Sequence, residues 1–327
     1  MDDLLLQLQQ EDTQVITELN LEELPPGAIT KCWMHIVTNG VGMPVYVPVI
    51  VARGSQPGKT LGFTAALHGN ELNGISLIQR LFAELNVQRL RGTVIGVPVV
   101  NTPALLHNER CFSDGTDLNQ VMPGRPDGNT SEVYAHRILQ RLVSHFDYLV
   151  DIHTASFGRV NSYFIRADLH DPVAHRMAML QNAQIIIHNP PSDGTLRGAA
   201  ASMGIKAVTL EMGTPNTFQK DLVRHALSGL HNLLSYLQMN GHDFEAAEHP
   251  PVVCQHSYWL YTDTGGILSV HPQLTDFVRK GEKIATLRNI FGDTVKEYFA
   301  PEDGIVVGKS VCPVNQTGGR ILHLGVL

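Results

Sequence analysis

Along the first two thirds of the chain, short apolar runs alternate with stretches whose apolar residues recur at helical spacing. Leu61 to Leu67 is such a run. It stops at His68-Gly69, and a helical pattern follows over about residues 74–86. Gly92–Val100, Tyr148–His153 and Ile205–Leu210 read as further buried strands, with Asn161–Ile165 and Ile185–Ile187 as shorter ones. Ser131 is expected to cap a helix carrying Ala135, Ile138, Leu142 and Phe146 on one stripe. Other helices are predicted over 172–182 and 219–238; in the second, Val223, Leu227, Leu230, Leu234 and Leu237 face the core. Lys31–Val37 and Val45–Val51, joined by turn material, read as an antiparallel pair at a sheet edge, where Pro48 is tolerated. This alternation predicts an α/β fold, a mixed central sheet flanked by helices.

The pattern breaks in four places. Residues 1–27 read as a polar N-terminal leader closed by Pro25-Pro26-Gly27. Ala104 to Asn129 is polar and aperiodic, and a long irregular segment inside a compact domain is usually functional. Gly194–Gly204 reads as a small-residue loop. From residue 246 onward, glycine-marked turns punctuate short apolar runs such as Gly304–Val307, which predicts a small C-terminal all-β domain over 246–327. The α/β domain then occupies 28–245.

Composition narrows the function classes. A chain of 327 residues that is 43% hydrophobic can bury a sizeable core. Its net charge of −7 gives no basic face, so no nucleic-acid partner is expected. Four widely spaced cysteines without a CxxC pair read as free thiols of a reducing compartment. With no long apolar run and no signal-peptide pattern at the N-terminus, the expectation is a cytoplasmic protein without a membrane partner.

His68 and Glu71 fall on the turn at the carboxyl end of a strand, where an open α/β sheet forms its ligand crevice. From such a turn an imidazole and a carboxylate three residues apart can reach one divalent ion. His153 ends another strand and supplies a third ligand; two histidines, one glutamate and a water form a common catalytic zinc set. A lone His-x-x-Glu is weak in a chain with 16 histidines, and the set also accepts cobalt, nickel or manganese. What strengthens it is Glu211, at the end of a third such strand.

Four motifs occur in order: His68-Gly-Asn-Glu71; Arg110 to Gly124, with Asp117-Leu-Asn119; Asp151-Ile-His153-Thr154; and Leu210-Glu211-Met-Gly213. In these the chain resembles the succinylglutamate desuccinylase/aspartoacylase family, which is related to the zinc carboxypeptidases. The tail resembles the β domain of the branch containing N-acetyl-diaminobutyrate deacetylases. Its Phe299–Gly304 turn is lipoyl-like but lacks a lysine for a prosthetic group, so a structural or gating module is expected.

The resemblance implies a zinc carboxypeptidase-like fold and one Zn2+ held by His68, Glu71 and His153. It implies Glu211 as general base and acid, Arg110 beside the developing oxyanion and Asn119 on the substrate. One position departs from the family: the usual Asp-Leu-Asn-Arg is here Asp117-Leu-Asn119-Gln120. The missing arginine would grip a substrate carboxylate bidentately, whereas Gln120 offers hydrogen bonds without charge. Arg197 is the candidate replacement, and Arg125 and Arg166 read as surface salt-bridge residues. Asp151 is placed on the strand face opposite His153, in a capping or core hydrogen-bonding role.

The expected activity is zinc-dependent hydrolysis of the amide bond of an N-acylated amino acid or related small amine. A carboxypeptidase-like peptidase is less attractive because of Gln120. A catalytically silent zinc-binding sensor would need neither Glu211 nor Arg110. The expected partner is a small-molecule N-acyl substrate, and the sequence is compatible with a homo-oligomer.

Overall fold

Runs that are apolar at consecutive positions suit strands covered by helices on both faces. In the structure, a computed structural model describing residues 13–241, 245 and 249–327, they form the centre of a large mixed sheet. The first twelve residues of the expected leader, and those just past the expected 245/246 boundary, lie outside the described residues.

The first half contributes β1 (Thr13–Ile16), β2 (Ala28–Thr38), β3 (Pro44–Arg53), β4 (Gln56–Ala65), α1 (Asn73–Glu84), β5 (Arg91–Val97), α2 (Thr102–His107), α3 (Thr130–Arg141) and β6 (Tyr148–His153). Next come β7 (Arg159–Ala167), α4 (Pro172–Met179), β8 (Ile185–His188), α5 (Leu196–Ser202), β9 (Lys206–Gly213) and α6 (Lys220–Tyr236). The remaining strands are β10 (Val252–Cys254), β11 (His256–Tyr261), β12 (Gly266–Val270), β13 (Phe277–Val278), β14 (Lys283–Arg288), β15 (Thr294–Phe299), β16 (Gly304–Ser310), β17 (Val314–Asn315) and β18 (Arg320–Val326).

The main sheet runs β1-β2-β3-β5-β4-β6-β9-β7-β16-β18-β11. Its middle strands, β5, β4, β6 and β9, are parallel, so their carboxyl ends open on one side. Around them β3 and β7 run antiparallel. One apolar core lies under α1, α4 and α6, and includes Leu77, Met177 and Leu230. A second lies under α3 and α5, and includes Tyr134, Ile138 and Leu196. The separate sheet β15-β14-β12-β17 is antiparallel and packs over a small core of its own with Leu268, Ile284 and Leu287. No helix among the described residues is long and apolar enough to cross a membrane.

Several local expectations are corrected. Part of the expected leader forms β1, parallel to β2, and buries Leu19 and Leu24. The β2–β3 pair is therefore inside the sheet. Pro48 pairs with Trp33, and β5 joins β3 only at Ile50–Arg53, so the missing N–H of Pro48 faces no strand. The cap of α3 is Asn129, whose side chain accepts from Glu132 N at 3.0 Å while Glu132 reaches back to Asn129 N at 2.9 Å. The small-residue stretch is a helix, α5, capped by Thr195; Ala199 and Ala200 let it lie close against the sheet.

Gly69 shows how tightly the crevice turn is held. A Cβ there would lie 2.1 Å from the Ala104 carbonyl carbon and 2.3 Å from Leu105 N, both backbone atoms of α2. Gly69→Ala is expected to destabilise the fold by about 2 kcal/mol or more, lowering Tm by roughly 3 °C or more. An unchanged melting curve would contradict this packing.

Candidate active site

The chain leaves β4 through Ala66, whose φ of 47° lies in the left-handed region, a conformation that costs alanine about 1–2 kcal/mol. That bend turns His68 inward, and the turn closes with Glu71 N donating to His68 O at 3.1 Å. On the next parallel strand His153 ends β6. His68, Glu71 and His153 are buried, and their candidate ligand atoms lie within 4.8 Å of one another.

Each imidazole is oriented from behind by a carboxylate. His68 Nε2 donates to Asp117 Oδ1 at 3.0 Å, and His153 Nε2 donates to Asp151 Oδ2 at 2.8 Å. Asp151 is held in turn by Thr64 Oγ1 at 2.7 Å. With their protons on Nε2, both rings present the Nδ1 lone pair to Glu71, at 3.0 Å from Oε1 for His68 and 3.0 Å from Oε2 for His153. His68 Nδ1 is buried and has no hydrogen-bond partner. Two lone pairs aimed at a carboxylate repel it unless positive charge sits between them, a demand that protons on Nδ1 or one shared divalent cation would meet. The proton affinities carry the same signature. Burial would lower both imidazoles, yet Glu71 holds His68 above its ordinary value and Asp151 holds His153 well above it. Burial would raise the Glu71 carboxyl, but the facing His68 and His153 hold it well below the carboxylate range.

The placement of Asp151 on the opposite face is corrected here: residues two apart in a strand share a face, so Asp151 and His153 are neighbours. Asp151→Asn, which keeps shape and removes charge, is expected to weaken the affinity of this group for a divalent cation about 10–100-fold. Titration against a competing chelator measures it. A second grouping, Asp168, His170 and His188, also brings three ligand types together. There, however, His188 Nδ1 already accepts from Leu169 N at 3.1 Å, so that lone pair is taken.

A cavity of about 360 Å³ opens over the His–Glu–His group. Arg110 forms part of its wall, Nη1 on Glu71 Oε1 at 3.0 Å and Nη2 on Asp117 Oδ2 at 3.0 Å. Asn119 lines it as well, its Oδ1 accepting from Leu196 N at 2.8 Å at the start of α5. Gln120 does not. It is exposed and points its amide toward Asp117 Oδ2 at 3.4 Å. Arg197 is 4% exposed and lines the cavity, pinned by the Asn189 carbonyl at 2.8 Å and the Asn189 side chain. Its partners are all neutral, and burial, with Arg166 nearby, lowers its pKa to about 10. Glu211 stands beside His153 in the β6–β9 register; its Oε2 accepts from Asn161 Nδ2 at 3.0 Å and its Oε1 faces Arg166 Nε at 3.5 Å.

Arg125 is a surface residue bonded to Glu132, but Arg166 is not; it lines the cavity. The cavity wall also includes residues not singled out in the sequence, among them Arg159, Asn161, Trp259 and His323. Trp259 and His323 come from β11 and β18, and their rings stack with centroids 5.1 Å apart. Burial, reinforced by Arg166, Arg159 and Arg320, holds His323 well below its ordinary value, hence neutral. No spacing along the chain announces these residues, because sheet pairing alone brings them in.

Comparison with known proteins shows the family. Residues 57–237 match the family described as the succinylglutamate desuccinylase/aspartoacylase catalytic domain. The N-alpha-acetyl-L-2,4-diaminobutyric acid deacetylase of Halomonas elongata is 26% identical over 279 residues, 81% of each chain. Succinylglutamate desuccinylase of Pseudomonas paraeruginosa is 27% identical over 175 residues, 49% of this chain and 52% of the relative. In fold, the product-bound ectoine utilization protein EutE (DoeB) of Ruegeria pomeroyi superposes with a TM-score of 0.84. It is 22% identical, with 93% of this chain and 98% of that one covered.

Proposed function

This chain belongs to the succinylglutamate desuccinylase/aspartoacylase family, and from that premise we propose that it is a zinc-dependent deacylase. Its substrate would be an N-acylated amino acid or related small amine, cleaved at the amide bond. The observation that carries the reading is the pair of Nδ1 atoms turned on Glu71 with both Nε2 protons engaged by carboxylates. When bound, zinc supplies a Lewis acid that polarises the acyl carbonyl and makes a water available for attack at neutral pH.

His68, Glu71 and His153 hold the metal, and Asp117 and Asp151 keep the rings in their binding tautomer. Glu211 takes the proton from the attacking water and returns it to the leaving amine. Arg110 places a fixed guanidinium where negative charge develops on the acyl oxygen, a contribution of about 3 kcal/mol for one such donor. Asn119 contacts the substrate, and Arg197 offers a cation without a carboxylate partner to a substrate carboxylate. Gln120 would act only at a distance, by bracing Asp117. The hydrolase unit is read as residues 28–245 and the β unit as 246–327. Four free cysteines, two of them buried, support a cytoplasmic placement.

The test is elemental analysis of the purified protein followed by a hydrolysis screen. N-acetyl-L-2,4-diaminobutyrate, N-succinyl-L-glutamate and N-acetyl-L-aspartate are the first substrates. About one zinc per chain together with metal-dependent release of a free amine is expected. Absence of stoichiometric metal after zinc reconstitution would overturn the proposal.

A further inference from the structure

We propose that Asn161 is the positioning residue of Glu211 and that Gly308, in the C-terminal strand β16, holds Asn161 in place. The inference rests on Glu211 being the general base. Asn161 lies on β7 opposite Gly213 of β9, two residues along from Glu211, so its side chain is within diagonal cross-strand reach of that carboxylate. It uses the reach: Nδ2 donates to Glu211 Oε2 at 3.0 Å. A carboxylate only accepts, so the amide nitrogen must be the end that faces it. The other oxygen, Oε1, is left toward the cavity, 3.5 Å from Arg166 Nε, which is too long for a strong bond. A general base needs one oxygen fixed and the other turned to the cavity. The neutral Asn161 amide does the fixing, while Arg166 stays at ion-pair distance from the cavity-facing oxygen.

On its other side Asn161 is paired with Gly308. A Cβ at position 308 would lie 2.6 Å from Asn161 Oδ1 and 3.1 Å from the Val160 carbonyl oxygen. The amide is therefore confined between the bare backbone of β16 and Glu211, and it is 9% exposed. Next to it, Ser162 Oγ donates to the Val307 carbonyl at 2.9 Å and locks the register of the two strands. Through these contacts strand β16 reaches Glu211 from behind the cavity wall.

Asn161→Ala, Gly308→Ala, Glu211→Gln and the Asn161→Ala/Glu211→Gln double variant would be compared as zinc-loaded proteins. The substrate is N-acetyl-L-2,4-diaminobutyrate or N-succinyl-L-glutamate, whichever the unaltered protein hydrolyses. Asn161→Ala is expected to lower kcat about 10–100-fold, with KM within about twofold and zinc content unchanged. Gly308→Ala should lower kcat in the same direction. In the Glu211→Gln background the Asn161 change should add less than about twofold, since it acts through a base already lost. Losses that multiply, or that fall on KM, would overturn the proposal, whereas normal turnover by Glu211→Gln alone would overturn the base assignment instead. Crystal structures of the Asn161→Ala and Gly308→Ala proteins give a readout that needs no turnover. The Glu211 carboxylate should leave its position, and an unmoved carboxylate in both would refute the role of Asn161.

Discussion

Replacing His153 with alanine is expected to abolish stoichiometric zinc binding and, with it, measurable deacylation. In the proposed site the ring is one of three ligands, and it is also the partner of Asp151 and Glu71, both of which are buried. Its removal leaves Asp151 with Thr64 as its remaining side-chain donor. An unsatisfied buried acceptor of this kind costs about 1–3 kcal/mol. The variant should therefore melt below the unaltered protein even when both are metal-free. Elemental analysis and melting curves, with and without added zinc, separate the two effects. Full zinc occupancy in His153→Ala would sink the ligand assignment.

Glu211→Gln is the second large effect. Glutamine keeps the shape and can still accept from Asn161 Nδ2 through its carbonyl oxygen, so neither the fold nor the ligand set is disturbed. The capacity to take a proton is lost, together with the long, partly exposed ion pair to Arg166, and a positioned acid–base group contributes about 10²–10⁴-fold. We expect kcat to fall by that range while zinc content and Tm stay as they were. Steady-state kinetics on the N-acyl substrate decides the matter, because a variant with unaltered kcat excludes Glu211 as the base.

Much of this site was legible in the sequence because its parts sit at strand ends. His68, His153 and Glu211 each follow an apolar run that could only be a buried strand, and parallel pairing then puts them side by side. The aperiodic segment stood out for its irregularity, and it delivers Arg110, Asp117 and Asn119 to the crevice. Asp151 was misplaced through a slip in strand parity, not for want of signal. Gln120 was a different case: it was singled out for standing where the family has an arginine, but successive residues of a tight turn point different ways, and it is exposed outside the cavity. Helix α5 escaped notice because a run of alanine, glycine and serine shows no apolar stripe, and its packing is decided by closeness instead of bulk. Trp259, His323 and Asn161 could not be found at all without knowing which strands become neighbours.

The parallel pairing of β4 with β6 and of β6 with β9 also bears on how the chain folds. Glu71 and His153 are separated by 82 residues, and Asn161 and Glu211 by 50. Such distant pairings form late, since long loops must close before any contact rewards them. The ligands therefore cannot template early structure. Until β6 has docked, the chain offers only a histidine and a glutamate on a loose turn. A cation would bind the finished sheet alone, adding about 2.7 kcal/mol to its stability at a hundredfold excess over Kd. In a cell, metal supply would then govern how long the completed protein survives, while leaving the speed of its folding untouched.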